Sequence, residues 1–311
     1  MPMSDTTSPS TVSLRQLQYI VAIADRGGFG RAAAHCHVAQ PSLSAQVALA
    51  ERQFGVQIFE RNRKGVRVSS PGMAIVEQAR RVLAAQRELE ELATHLRDPF
   101  RGTFRLGVIP TVGPYLLPDI SPALGRAYPH LTTVWREDRT ANLVRQVQDG
   151  ALDGAILALE SDIDHLAHAL VGWDPFVLAV GPGHPLAGSS KPVKLAALKD
   201  AKVFLLDDGH CFRHQAWSLC APFGAQEMDF RATSLATLVQ MAGTGRGATL
   251  LPALALPVEN RAHQLRIRRI SPVGPGRTLV LAWRRESALR TALMEIARTL
   301  RTAFTAHTKP R

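Results

Sequence analysis

Apolar positions first recur with helical spacing at Leu14, Leu17, Val21 and Ala24. Steps of i, i+3, i+7 and i+10 put them on one face and predict a helix that ends at Gly27-Gly28. A short Ala-rich helix over residues 30–35 follows. A third helix starts near Gln40, where Pro41 suits the first turn because its missing N–H would have no intrahelical partner. Leu43, Val47, Ala50 and Phe54 give that helix its buried stripe and leave Ser42, Ser44, Ala45 and Gln46 free to face outward. Beyond Gly55 come two β-like pieces, 58–61 and 66–69, joined by the basic turn Arg63-Lys64-Gly65. Pro71-Gly72 punctuates the chain, and residues 73–96 then run without Gly or Pro. Their wide apolar face, Ile75 to Leu92, suits a spacer helix or a dimer seam.

From Phe104 the pattern changes. Strand-like runs at 104–109, 131–137, 154–159, 176–181, 203–206, 247–252 and 278–283 alternate with helical ones, and a last helix covers 287–305. Such alternation predicts an α/β region with mostly parallel sheets. About 200 residues in this style suit two lobes with a cleft, where ligands sit at strand C-termini and helix N-termini. The chain is therefore expected to be α+β overall. Its segments are a disordered tail (1–12), a winged helix-turn-helix (13–71), a linker helix (72–98) and a regulatory region (99–311).

Composition narrows the setting. Hydrophobic residues make up 46% and charged residues 20% of 311, the mixture of a soluble globular protein. No run approaches the roughly 18 apolar residues of a membrane span. The Ser/Thr/Pro-rich start has no apolar core for a secretory signal. Three cysteines, Cys36, Cys211 and Cys220, exclude a disulfide-stapled scaffold, so a reducing cytoplasm is expected. The net charge is +11, with +4 in residues 1–72, −3 in 98–260 and +10 in 261–311. A basic chain suits a polyanion such as nucleic acid, although the C-terminal excess also reads as solvated surface.

The winged helix gives that partner a site. A third helix bearing short polar side chains, with Gln40, Pro41, Ser42, Ser44 and Gln46 as its candidate DNA-facing residues, can enter the major groove of double-stranded DNA. Arg61, Arg63, Lys64 and Arg67 on the wing can pair with phosphates. A plain three-helix bundle with a solvated polar face is the alternative.

These residues resemble a known family. Residues 14–72, with the stretch Ala39-Gln40-Pro41-Ser42-Leu43-Ser44, look like the DNA-binding domain of LysR-type transcriptional regulators. Three later segments resemble the members of that family that sense hydrogen peroxide. They are Ile109-Pro110-Thr111-Val112-Gly113-Pro114-Tyr115, Asp208-Gly209-His210-Cys211 with Cys220 nine residues on, and Phe230-Arg231-Ala232-Thr233-Ser234-Leu235 with Thr249-Leu250-Leu251-Pro252. The resemblance implies a regulatory region of two lobes like a periplasmic binding protein, and a peroxide-switched regulator of oxidative-stress genes with no separate cofactor. It also implies a homotetramer built as a dimer of dimers, contact with RNA polymerase, and resetting by a glutaredoxin or thioredoxin reductant. Thr111, Thr140 and His210 are expected to hold peroxide, and Arg277 to stabilise a thiolate.

Read from its own residues, 210–220 can begin as a helix after the turn Asp207-Asp208-Gly209. Cys211 falls near its start, where unpaired N–H groups favour an anion and so the reactive thiolate. Phe212, Ala216 and Leu219 form an apolar face with Cys220 beside it. Cys211 thus reads as the peroxidatic residue and Cys220 as a buried resolving partner. Thr111 follows a strand and Thr140 starts a helix, so both read equally as simple N-caps. Cys36 reads as a small hydrophobe. A metal site built from His210, Cys211, His214 and Cys220 lacks the paired spacing such sites use, so none is expected. Three rival functions remain. They are a LysR-type regulator with an organic effector, a thiol peroxidase with no use for a winged helix, and a periplasmic solute-binding protein, against which the N-terminal domain argues.

Overall fold

A computed structural model describes residues 12–62, 65–95, 98, 100–188, 191–271 and 274–308. The chain divides into two compact units near residue 93.

The first unit begins with α1 (Leu14–Arg26). Its Ser13 cap is reciprocal: Ser13 Oγ accepts from Gln16 N, and Gln16 Oε1 accepts from Ser13 N at 2.8 Å. Gly27 ends the helix in the left-handed region, φ 64°. Next come α2 (Phe29–His35) and α3 (Gln40–Phe54), with Pro41 in the first turn of α3 as expected. Strands β1 (Phe59–Asn62) and β2 (Gly65–Val68) pair antiparallel, Glu60 opposite Arg67. The Glu51 carboxylate on α3 accepts from the Ile58 and Phe59 N–H groups at 2.8 and 3.0 Å, which ties the end of α3 to the wing. Ile20, Ile23, Leu43, Val47, Ala50 and Ile58 form the core.

Pro71-Gly72 does not separate the wing from the next helix, as the sequence pattern suggested. Helix α4 (Ser70–His95) already contains both. Ser69 Oγ accepts from Gly72 N at 3.0 Å and so caps the first turn. A Cβ on Gly72 would stand 2.3 Å from Ile58 O. The glycine is there for close approach to the wing, and the proline occupies a helix start. Val76 and Ala79 of α4 join the first unit's core.

The second unit is a ten-stranded mixed sheet folded as two lobes. Lobe I holds β3 (Gly102–Val108), α5 (Gly113–Ala127), β4 (Leu131–Glu137), α6 (Thr140–Gln148) and β5 (Gly154–Ala158). The long β6 (Ala167–Val180) serves both lobes. Lobe II adds β7 (Val193–Lys194), β8 (Lys202–Leu206), α7 (Cys211–Cys220), β9 (Gln226–Ala232), α8 (Leu235–Gly243), β10 (Ala248–Pro252), α9 (Leu256–Glu259) and β11 (Arg266–Ser271). The chain then returns to lobe I with β12 (Gly276–Trp283) and α10 (Arg290–Thr308). The strand order is β4-β3-β5-β12-β6-β10-β8-β9.

Two expectations need correction. The sheet is not mostly parallel: β3 pairs parallel with β4 and β5, and β8 with β9 and β10, but β6 and β12 run antiparallel to their neighbours through the middle. Strand β6 also begins at Ala167 rather than 176. Its first half pairs with β12 alone, the register shifts between Leu279 and Val280, and Pro175 stands at the end of that half. Proline is tolerated on such an edge. Strands β7, β9 and β11 were not expected at all. β11 reads as basic surface, yet Arg268 is buried and donates to the Lys191 and Leu186 carbonyls. Among the described residues no helix is long and apolar enough to cross a membrane.

Candidate functional site

Three loops leave the C-terminal ends of β3, β4 and β8 and lead into α5, α6 and α7. They converge on one narrow cleft lined by Ile109, Pro110, Thr111, Arg139, Thr140, Gly209, His210 and Cys211. This brings together three of the expected peroxide residues and the expected peroxidatic cysteine. The space between these residues, open solvent included, is ≈ 170 Å³. The cleft is narrow, and its lining residues stand close against one another.

Cys211 is the first residue of α7 and is half-buried; His210 is the N-cap. The turn before it needs glycine, because Gly209 has φ 89° and a Cβ there would meet Arg139 at 2.9 Å. His210 is only 9% exposed. Burial, and after it the charge of Arg139, hold its basicity below the usual imidazole value, while Asp207 acts the other way. Cys220 closes the same helix, fully buried, and burial pushes its thiol up to about 12.

Neither threonine is an N-cap. Val112 occupies that position for α5, and Thr111 is 3% exposed with its hydroxyl accepting from Arg277 Nη1 at 2.6 Å. Thr140 is the first residue of α6, and its Oγ1 is buried with no hydrogen-bond partner among the described residues.

Arg277 does not line the cleft. Its guanidinium is fully buried and bonded to Asp174 Oδ2, through Nε at 3.0 Å and Nη2 at 2.9 Å, and to the Thr111 carbonyl at 2.9 Å. Its Cζ lies 5.7 Å from the centre of the Phe212 ring, which meets Phe176 edge-on. Arg277 therefore braces Thr111 from behind. The cation at the cleft itself is Arg139, which the sequence reading missed; a charged residue just before a helix start was its one signal. Asp174 was missed too, because it stood in an apparent strand break. Outside the cleft, Arg213 clamps the first turn of α7, reaching Asp208 and Glu227 at 2.9 Å each. Among the described residues no three His, Cys, Asp or Glu side chains are grouped to hold a metal ion.

In the first unit, Gln40, Pro41, Ser42 and Gln46 are exposed on α3, and Ser44 is half-buried. Arg61 lies on β1 and Arg67 is exposed on β2; Arg63 and Lys64 lie outside the described residues. Cys36 caps the C-terminal end of α2 and packs partly buried against this unit's core.

Residues 14–73 match the bacterial regulatory helix-turn-helix protein, lysR family, and residues 97–305 match the LysR substrate binding domain. The DNA-binding transcriptional dual regulator OxyR of Escherichia coli K12 is 39% identical over 297 residues, spanning 95% of this chain and 97% of that one. A full-length OxyR from Pseudomonas aeruginosa with one cysteine changed to aspartate superposes with TM-score 0.76 at 32% identity, covering 94% and 98% of the two chains. A Corynebacterium glutamicum OxyR with one cysteine changed to serine, bound to H2O2, gives TM-score 0.66 at 31% identity, covering 96% and 95%. With both halves matched and the likeness running almost end to end, the chain belongs to the LysR family of bacterial transcriptional regulators, on its OxyR-like branch, and is a regulator rather than an enzyme.

Proposed function

We propose that the protein senses hydrogen peroxide in the cytoplasm through Cys211 and reports it by changing how its winged helices meet promoter DNA. The observation that carries this reading is α7. Its first residue is a half-buried cysteine lining the cleft beside Thr111, Thr140 and His210, and its last is a fully buried cysteine. The Cys211 thiolate attacks one peroxide oxygen, the O–O bond breaks, and hydroxide leaves; the sulfur becomes a sulfenic acid. The Cys220 thiol then condenses with it, forming the disulfide and releasing water. Thr111, Thr140 and His210 hold the peroxide. Gln40, Pro41, Ser42, Ser44 and Gln46 face base edges, and Arg61, Arg63 and Lys64 face phosphates. The working assembly is a dimer of dimers that engages RNA polymerase and is reset by a glutaredoxin or thioredoxin.

Mass spectrometry of the purified protein before and after one equivalent of peroxide, paired with a DNA footprint, tests this. The expected result is a Cys211–Cys220 disulfide and a changed footprint, both lost in Cys211→Ser. Unmodified cysteines, or a footprint indifferent to their oxidation, would overturn it.

A further inference from the structure

Among the residues that line the cleft, Arg139 is the one permanent charge, and none is a carboxylate. Its partner outside the cleft, Asp207, is held loosely, Nη2 to Oδ2 3.6 Å, beyond hydrogen-bonding reach. The carboxylate of neighbouring Asp138 is occupied by the Arg139 backbone N–H, Asn142 and Gln146. Two helices, α6 and α7, start in the cleft with Thr140 and Cys211, and helix starts offer unpaired N–H groups and positive dipole ends. Among the described residues, His210, 9% exposed, has no hydrogen bond on its ring, and the buried Thr140 hydroxyl has no partner. Neutral hydrogen peroxide is satisfied by hydroxyls and an imidazole. A guanidinium that also faces the cleft selects for an anion.

We propose that Arg139 fits this cleft to small anionic peroxides as well as to hydrogen peroxide, peroxymonocarbonate being the probe of that class. It forms from hydrogen peroxide and bicarbonate. The Cys211 thiolate attacks its terminal hydroxyl oxygen, the O–O bond breaks, and the electron pair leaves on carbonate. Thiolate plus peroxymonocarbonate thus gives sulfenic acid plus carbonate, the sulfur oxidised by two electrons and the peroxide reduced by two. This rests on Cys211 being the oxidised residue.

The test is the rate of Cys211 oxidation in the full-length protein by hydrogen peroxide, with and without bicarbonate. Peroxymonocarbonate oxidises any thiol faster than hydrogen peroxide does, so the readout is the bicarbonate enhancement divided by that of a free small thiol in the same buffer. The wild type should exceed the small thiol by about fivefold, the upper range for one half-exposed ion pair. Arg139→Gln should fall to the small thiol's value, and Arg139→Lys should keep most of the excess. Equal enhancement in wild type and Arg139→Gln overturns the proposal, since Arg139 would then favour every peroxide alike. Failure of wild-type Cys211 to oxidise with either peroxide would overturn the sensing reading as well, a result distinct from the first.

Discussion

Thr111 shows how one hydrogen bond assigns a direction. Its oxygen accepts from Arg277 Nη1 at 2.6 Å, so its own hydrogen remains to donate toward a bound peroxide. Thr140, whose hydroxyl has no partner among the described residues, can take the complementary part. Thr111→Val should slow Cys211 oxidation roughly two- to tenfold, the value of one net hydrogen bond of about 0.5–1.5 kcal/mol. It also strands a buried N–H of Arg277, so unfolding by urea should show a loss of about 1–3 kcal/mol. Unchanged rate and unchanged stability together would remove the hydroxyl from both roles. The positions of Thr111, Thr140 and Cys211 at strand ends and helix starts were legible from local spacing, whereas a peroxide-holding part for the threonines came only from the family resemblance. Arg277 was legible only as a cation. Its guanidinium is held by Asp174, 103 residues away, and no local pattern encodes such a pairing.

At the scale of the element, α7 cannot stay as it is if its two ends are to bond. Nine residues at about 1.5 Å rise put the cysteine Cα atoms roughly 13 Å apart, whereas a disulfide needs about 4.4–6.8 Å. No rotamer change closes that gap, so the helix must unwind. Unwinding pulls Phe212 from Phe176 and Arg277, disturbs half-buried Trp217 and Leu219, and strains the Arg213 clamp on Asp208 and Glu227. Each large apolar side chain so displaced carries about 1.5–3 kcal/mol of burial, enough to make the segment a two-state element. Oxidation should therefore change Trp217 fluorescence and speed amide exchange over 213–219. Neither should occur in Cys220→Ser, where the sulfenic acid forms but the ring cannot close. A disulfide-bonded protein with an unchanged exchange pattern here would sink this mechanism.

The same helix sets a pH dependence. Burial raises the Cys220 thiol from 9.0 to about 12. Below about pH 9 the thiol is neutral both folded and unfolded, and the fold keeps its full stability. Between about 9 and 12 only the unfolded chain loses the proton, so stability falls as pH rises. Reduced wild type should lose more stability than Cys220→Ser across that window in urea titrations. Parallel curves would show that the buried thiol is not responsible.

Across the whole molecule, the sequence conveyed the order of parts better than how the strands join. Winged helix, linker and two-lobed α/β region all follow from hydrophobic periodicity. The central antiparallel strands do not, because direction within a sheet is set by partners distant in the chain. The division near residue 93 makes a further prediction possible. Helix α4 buries Val76 and Ala79 in the first unit's core, then runs on to His95 with Leu89 69% exposed and Val82 38% exposed. In the proposed dimer these side chains form the seam that holds two α3 helices on two half-sites. Leu89→Glu puts a charge on that seam and should shift the protein toward monomer in analytical ultracentrifugation. Linked half-site binding exceeds single-site affinity by about 10²–10⁴, so specific promoter binding should fall on that order. The rate of Cys211 oxidation should stay within about twofold of wild type, because the cleft is built wholly from the second unit. Loss of DNA binding with the dimer intact would move Leu89 from the seam to the DNA-reading unit, and a matching loss of oxidation rate would mean that the two units are not separable in function.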